Sequence, residues 1–238
     1  MMSQSWQKRG FILFVFLSLV GFDSYVGCSY KGHALQEQNK DCSVKPMNLT
    51  DAKKAITDYY DSGCFDKEID QVIDKAIAYF NDLNLTEIKN PTVIFDIDDS
   101  VLSTYPHQKE TEFGYLQDIF HNWVLKGDAP MVHGTKRLYD FLLSHGYKVI
   151  FLTGRFESER QATIKNLRAN GFVGYKKLIT RNCENRQEKA SVYKPAQREK
   201  LINEGYTIVG SVGDQWSDHV GPHIGHAVKL PNYFYTIG

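Results

Sequence analysis

Val93-Ile94-Phe95-Asp96-Ile97-Asp98-Asp99-Ser100-Val101 is the stretch that decides the fold. Thr92 to Ile97 is an apolar, β-branched run of the kind that forms a strand buried on both faces. Three aspartates interrupt it directly. In open parallel sheets the carboxyl ends of the strands face the ligand crevice. Residues two apart on a strand point the same way, so Asp96 and Asp98 can both address one site.

Outward from this strand the chain alternates. Upstream, Ile69, Val72, Ile73, Ala76, Ile77 and Phe80 recur at helical spacing within Phe65 to Leu85, and the helical pattern begins at Thr50. Downstream, a segment rich in aromatics (Phe113, Tyr115, Phe120, Trp123) and residues 131–145 read as helices, the second capped by Gly146. Strands are expected at Lys148–Leu152, Lys177–Thr180, Tyr206–Val212 and Ala227–Leu230. Helices are expected at Glu157–Asn170 and from Pro195 to Asn203. Strands alternating with helices predict an α/β fold, a Rossmann-like parallel sheet flanked by helices.

A second carboxylate cluster, Gly213-Asp214-Gln215-Trp216-Ser217-Asp218, follows another buried strand. A parallel sheet can bring the two clusters together. At a separation of ~5 Å and an effective dielectric of ~20, each pair of carboxylates repels by roughly 3 kcal/mol. A hard divalent cation offsets that repulsion, and an all-oxygen donor set favours magnesium over zinc. A calcium loop starting at Asp96 fails, because Val101 stands where the sixth position needs Gly and His107 where the twelfth needs Glu. A dinucleotide-binding turn fails too, since Val209-Gly210-Ser211-Val212-Gly213 lacks the glycine spacing.

Two further segments carry phosphate-binding chemistry. Thr153-Gly154-Arg155 ends a buried strand and offers a hydroxyl, an unhindered backbone amide and a planar fork of donors. Lys194, just before Pro195, is expected at the N-terminus of a helix, itself an anion site.

In this order the four segments resemble the haloacid dehalogenase superfamily, over roughly residues 50–235. Within it, Phe95-Asp96-Ile97-Asp98-Asp99, Phe151-Leu152-Thr153-Gly154-Arg155 and the 213–218 segment look like the class IIIB acid phosphatases, which include exported bacterial enzymes and plant vegetative storage proteins. The resemblance implies an exported, Mg2+-dependent acid phosphatase acting on small phosphomonoesters. Asp96 would be the nucleophile and Asp98 the general acid and base. Thr153 and Lys194 would hold the phosphoryl oxygens, with Gly154 and Arg155 beside the substrate. Asp96, the backbone carbonyl of Asp98 and Asp214 would bind magnesium, supported by Asp218. Ser100 departs from the commoner Thr. The Thr153–Lys194 interval leaves no room for a large cap, so a minimal lid must come from residues 101–130 or from the N-terminal helices. Phe113, Tyr115, Trp123 and Trp216 are candidates to stack on an aryl or nucleoside group, or ordinary packing residues. A weakly active storage or binding protein of the same fold, and a phosphotransferase, stay open as alternatives.

The remaining features concern location. Lys8 and Arg9 precede a short apolar run, Phe11 to Phe22, which fits a signal peptide over residues 1–27. Tyr25-Val26-Gly27-Cys28 resembles a bacterial lipobox, giving either a lipid anchor at Cys28 or ordinary cleavage nearby. The protein would then be periplasmic, lipid-anchored at the outer membrane, or secreted. Residues 28–49 read as a linker, and residues 50–238 as the phosphatase domain. Cys28, Cys42, Cys64 and Cys183 have no zinc-type spacing and allow three disulfide pairings. With 28 basic and 28 acidic side chains there is no global field to bind nucleic acid.

Overall fold

A computed structural model describes residues 47–237. The signal segment 1–27, Cys28, Cys42 and all but the end of the 28–49 linker lie outside the described residues. Cys64 and Cys183 are both exposed and not joined to each other.

The described chain opens with α1 (Leu49–Asp61) and α2 (Cys64–Asp82). Asn48 starts α1, its side chain accepting from the amide of Asp51 at 2.9 Å and so satisfying one of the unpaired first-turn donors. In α2 the predicted stripe faces inward, with Phe65, Ile69, Ile73, Ala76 and Phe80 buried. There follow β1 (Pro91–Phe95), α3 (Tyr105–Glu110), α4 (Gln117–Lys126), α5 (His133–Ser144), β2 (Lys148–Phe156), α6 (Arg160–Ala169), β3 (Lys177–Arg181), α7 (Ala190–Asn203), β4 (Thr207–Gly213) and β5 (His226–Lys229). Gly146, at φ +84°, ends α5 as expected, and the amide of Tyr147 closes back on the carbonyl of Leu142 at 3.0 Å.

The five strands form one parallel sheet in the order β3-β2-β1-β4-β5. Alternate strand residues face opposite layers. Val93, Phe95, Val149 and Phe151 join the larger core with α2 and α5. Ile94, Ile150, Leu152 and Ile208 pack with Tyr193 and Leu201 of α7 on the other face. Two covered faces explain why these strands read as continuous apolar runs.

Connections run outward from β1 through β2 to β3, then return to β4 and β5 on the other side. The crevice at such a reversal, between β1 and β4, is where open α/β sheets hold ligands. The β1–β4 pairing continues past Phe95, with the Asp96 amide donating to the carbonyl of Val212 at 2.9 Å. That bond sets Asp96 next to Gly213 and Asp214.

One expectation fails here. The helix expected from Pro195 starts instead at Ala190, so Lys194 sits inside α7 rather than ahead of its N-terminus. Pro195 forgoes one intrahelical hydrogen bond. Burial of Ala190, Tyr193 and Lys194 in those turns holds the helix together regardless. Lys194 therefore presents its ammonium group from within the helix, not from a helix end.

Candidate active site

The two carboxylate clusters meet as the sequence predicts. Asp96, Asp214 and Asp218 are all buried, and each presents an oxygen within 4.8 Å of the others. The Lys194 ammonium enters this group from α7, donating to Asp96 Oδ1 at 2.8 Å and to Asp218 Oδ1. Asp96 Oδ2 has no donor among the described residues. Burial, partly offset by Lys194, raises the Asp96 carboxyl well above its usual range, and Asp218 and Asp214 push it further. Burial alone would lower the Lys194 ammonium, but Asp218 and Asp96 outweigh it and hold the charge on.

Each metal-type carboxylate is fixed by its neighbours. Ser100 Oγ donates to Asp214 Oδ1 at 2.9 Å and accepts from the Asp214 amide at 3.0 Å. Asp214 Oδ2 receives Gln215 Nε2 at 2.6 Å and Asn232 Nδ2 at 2.7 Å. Asp218 Oδ2 receives the Gln215 amide at 3.0 Å. Asp218 lies so close to the strand that a Cβ on Gly213 would fall 2.2 Å from its Oδ2, which is why that position has no side chain.

Asp98 stands apart from this trio. Its carboxylate takes Arg155 Nε at 3.2 and 3.1 Å and Arg155 NH2 at 2.7 Å, while Arg155 NH1 donates to Thr163 at 3.0 Å. Arg155, expected beside the substrate, thus spends its planar fork on Asp98. Thr153 is fully buried and its hydroxyl accepts from the Arg155 amide at 3.1 Å. Its own proton meets no protein acceptor among the described residues. Gly154 is exposed at the cavity wall.

Asp99 had no role in the sequence reading. It is buried in a left-handed conformation, φ +54°, and receives the Thr104 amide and hydroxyl at 2.7 and 2.6 Å and the Tyr235 hydroxyl at 2.8 Å. Burial and the charge of Asp214 push its carboxyl up to about 8. Asn232 and Tyr235 were also missed. They lie in a C-terminal segment that crosses back over the site, and the only signal for them is their place just past the carboxyl end of β5.

A cavity of about 570 Å³ opens over Asp96, Asp98 and Lys194. One wall comes from residues 104–121, within the 101–130 stretch expected to form the lid, and includes Phe113, Tyr115 and Phe120. Residues 234–237, the chain leading into α7, and residues at the ends of β2, β3 and β4 supply the rest. Of the other candidate stacking residues, Trp123 is buried against His107 at 5.1 Å and Trp216 lies exposed with Lys229 above its ring.

The donor set fits a hard divalent cation: three buried carboxylates, oxygen atoms only, with a single ammonium among them. A parallel sheet carrying such a cluster at its switch point defines an α/β phosphohydrolase of the haloacid dehalogenase type. Comparison with known proteins makes the class narrower. The family described as HAD superfamily, subfamily IIIB (acid phosphatase), matches residues 16–238. Acid phosphatase 1 of Solanum lycopersicum is 36% identical over 186 residues, 76% of this chain and 73% of that protein. A stem 31 kDa glycoprotein of Glycine max is 37% identical over 185 residues, 76% of this chain and 72% of the other. The class C acid phosphatase of Bacillus anthracis shares the fold, with a TM-score of 0.67 and 22% identity over 79% of this chain and 86% of that one. The chain belongs to the haloacid dehalogenase superfamily, subfamily IIIB, and is a phosphomonoester-hydrolysing acid phosphatase.

Proposed function

We propose that the protein is an exported, magnesium-dependent phosphatase that works through an aspartyl-phosphate on Asp96. The observation that carries this reading is the buried Asp96 carboxylate lining the cavity, held on one oxygen by Lys194 and without a donor on the other among the described residues. An ionised carboxylate needs no base to attack; burial raises the Asp96 pKa, and the Lys194 ammonium opposes this and favours the ionised form. Its obstacle is repulsion from the phosphate dianion. When bound, magnesium would be held by Asp96 and Asp214, with Asp218 and the carbonyl of Asp98 as the remaining protein oxygens, and would supply positive charge that offsets this repulsion.

The chain's own groups do the rest. Asp96 attacks phosphorus in line with the ester oxygen, forming a P–O bond to its carboxylate as the bond to the alcohol breaks. Lys194, the Thr153 hydroxyl and the Gly154 amide hold the equatorial oxygens, where charge is spread in the transition state. Asp98, aimed by the Arg155 fork, protonates the departing alcohol. Asp98 then takes a proton from water, which attacks the phosphoryl group, releases inorganic phosphate and restores Asp96.

Export rests on the basic pair Lys8 and Arg9 ahead of the short apolar run Phe11–Phe22. Sequencing the N-terminus of protein recovered outside the cell tests it, and an unprocessed N-terminus would overturn it. The catalytic reading is tested with phenyl phosphate, magnesium and excess chelator. Activity should vanish with chelator and return with magnesium, and a rapid quench should trap acid-stable phosphate on wild-type protein but none on folded Asp96→Asn. Turnover by Asp96→Asn at the wild-type rate would overturn the mechanism.

A further inference from the structure

Three arginines are buried among the described residues, and in two of them all three guanidinium nitrogens donate. Arg155 holds Asp98 and Thr163. Arg198 donates to the carbonyls of Asp218, Val220 and Pro222. The third, Arg181 at the end of β3, is 7% exposed and lies over the ring of Tyr193 at 4.5 Å. Its NH1 donates to the carbonyls of Asn185 and Glu188 at 2.9 and 2.7 Å. Its Nε and NH2 donate to nothing among the described residues, and no carboxylate pairs with it there.

A guanidinium carries five N–H donors in a rigid fork. A buried charge without an anionic partner is costly, and proteins keep one only where something offsets it. Arg181 borders the cavity that holds Asp96 and Lys194. Gly154 lies beside the guanidinium, a Cβ there falling 3.9 Å from Arg181 Nε, an ordinary contact distance. The neighbouring carboxylate of Glu159 is occupied by His121 at 2.9 Å and by the Phe156 amide at 2.6 Å. Glu188 is exposed and forms no ion pair among the described residues. Arg186 adds a second cation at the rim, stacked on Phe156 at 4.7 Å.

We propose that Arg181, with Arg186 at the rim, forms an anion subsite across the cavity from Asp96, and that the favoured substrates are phosphomonoesters whose alcohol carries a second oxyanion. The inference rests on the phosphatase reading above, which already assigns the reacting phosphoryl group to Lys194, Thr153 and Gly154. Strands β1 and β3 are two steps apart at ~4.8 Å per step, so the two strand ends stand on the order of 10 Å apart, a gap that a sugar or aryl ring with its two anionic groups can bridge. The alcohol's far end thus supplies the partner that the fork lacks.

The test compares kcat/KM with magnesium for two substrate pairs: phenyl phosphate against its 3- and 4-carboxy derivatives, and adenosine 5′-monophosphate against adenosine 3′,5′-bisphosphate. The wild-type protein should prefer at least one member carrying the second oxyanion over its parent by about tenfold or more, as a fork built for an oxyanion penalises its absence. Arg181→Met should erase that ratio, and Arg181→Lys should keep part of it. No preference in the wild type, or the same ratio in folded Arg181→Met, would overturn the subsite. Should Arg181→Met not fold, Arg181→Lys decides: an undiminished ratio there refutes recognition by the fork. Failure of the underlying phosphatase reading looks different, as phenyl phosphate itself would then go unhydrolysed.

Discussion

Replacing Lys194 by Met removes one charge from the centre of the site and little volume. The lysine pairs with Asp96 and Asp218, and all three side chains are under a tenth exposed. Without it, three carboxylates face one another with oxygens within 4.8 Å. At an effective dielectric of ~20, each such pair repels by about 3.5 kcal/mol or more. Proton uptake by the buried carboxyls relieves part of this, and breaking a buried ion pair costs ~3–5 kcal/mol in practice. For a domain of this size each kcal/mol is worth ~2–4 °C, so the melting temperature of the metal-free variant should fall by roughly 6–20 °C. In the proposed mechanism magnesium binds the same carboxylates. It should therefore raise the melting temperature more in Lys194→Met than in wild type, because no ammonium competes for the oxygens. Turnover should still drop by ~10²–10³, the usual cost of losing one transition-state donor. Circular-dichroism melts in chelator and in magnesium read the first two effects. A melting temperature within 2 °C of wild type in chelator, or a loss that magnesium leaves untouched, would refute the reasoning (~2 °C being below one kcal/mol).

Other expectations follow from single contacts. Asn232→Ala frees Asp214 Oδ2 of one donor at 2.7 Å, so half-saturation by magnesium, read from melting temperature as well as rate, should need ~10–100-fold more cation. Gly213→Ala puts a methyl group 2.2 Å from Asp218 Oδ2, which the Gln215 amide and Lys194 hold in place. A urea titration should show a loss of ~1–3 kcal/mol, and kcat should fall with it. His107 is buried against Trp123, and burial lowers its pKa in the folded state. The unfolded chain therefore binds the proton more readily. Stability is complete above the ordinary histidine value of ~6.5 and declines as pH falls through it, so His107→Phe should narrow the gap between melting temperatures at ~pH 8 and ~pH 5.

The grouping of Asp96, Asp98, Thr153, Lys194, Asp214 and Asp218 as one set came from the family resemblance, while the sequence by itself determined the alternating strands and helices and the two aspartate clusters at strand ends. It could do so because strands buried on both faces leave continuous apolar runs, and because charged residues directly after such runs are rare without a reason. What it could not supply was contact between segments far apart in the chain. That Arg155 binds Asp98 rather than open space depends on the β1–β2 register. That Lys194 works from within α7 depends on which side of the helix is buried, since Pro195 locally argued for a later start. Asn232, Tyr235 and the open donors of Arg181 carry no local pattern at all. They matter only because a chain returning past β5, and a strand two places from β1, close on the same cavity, and that proximity is a property of the sheet order rather than of any stretch of residues.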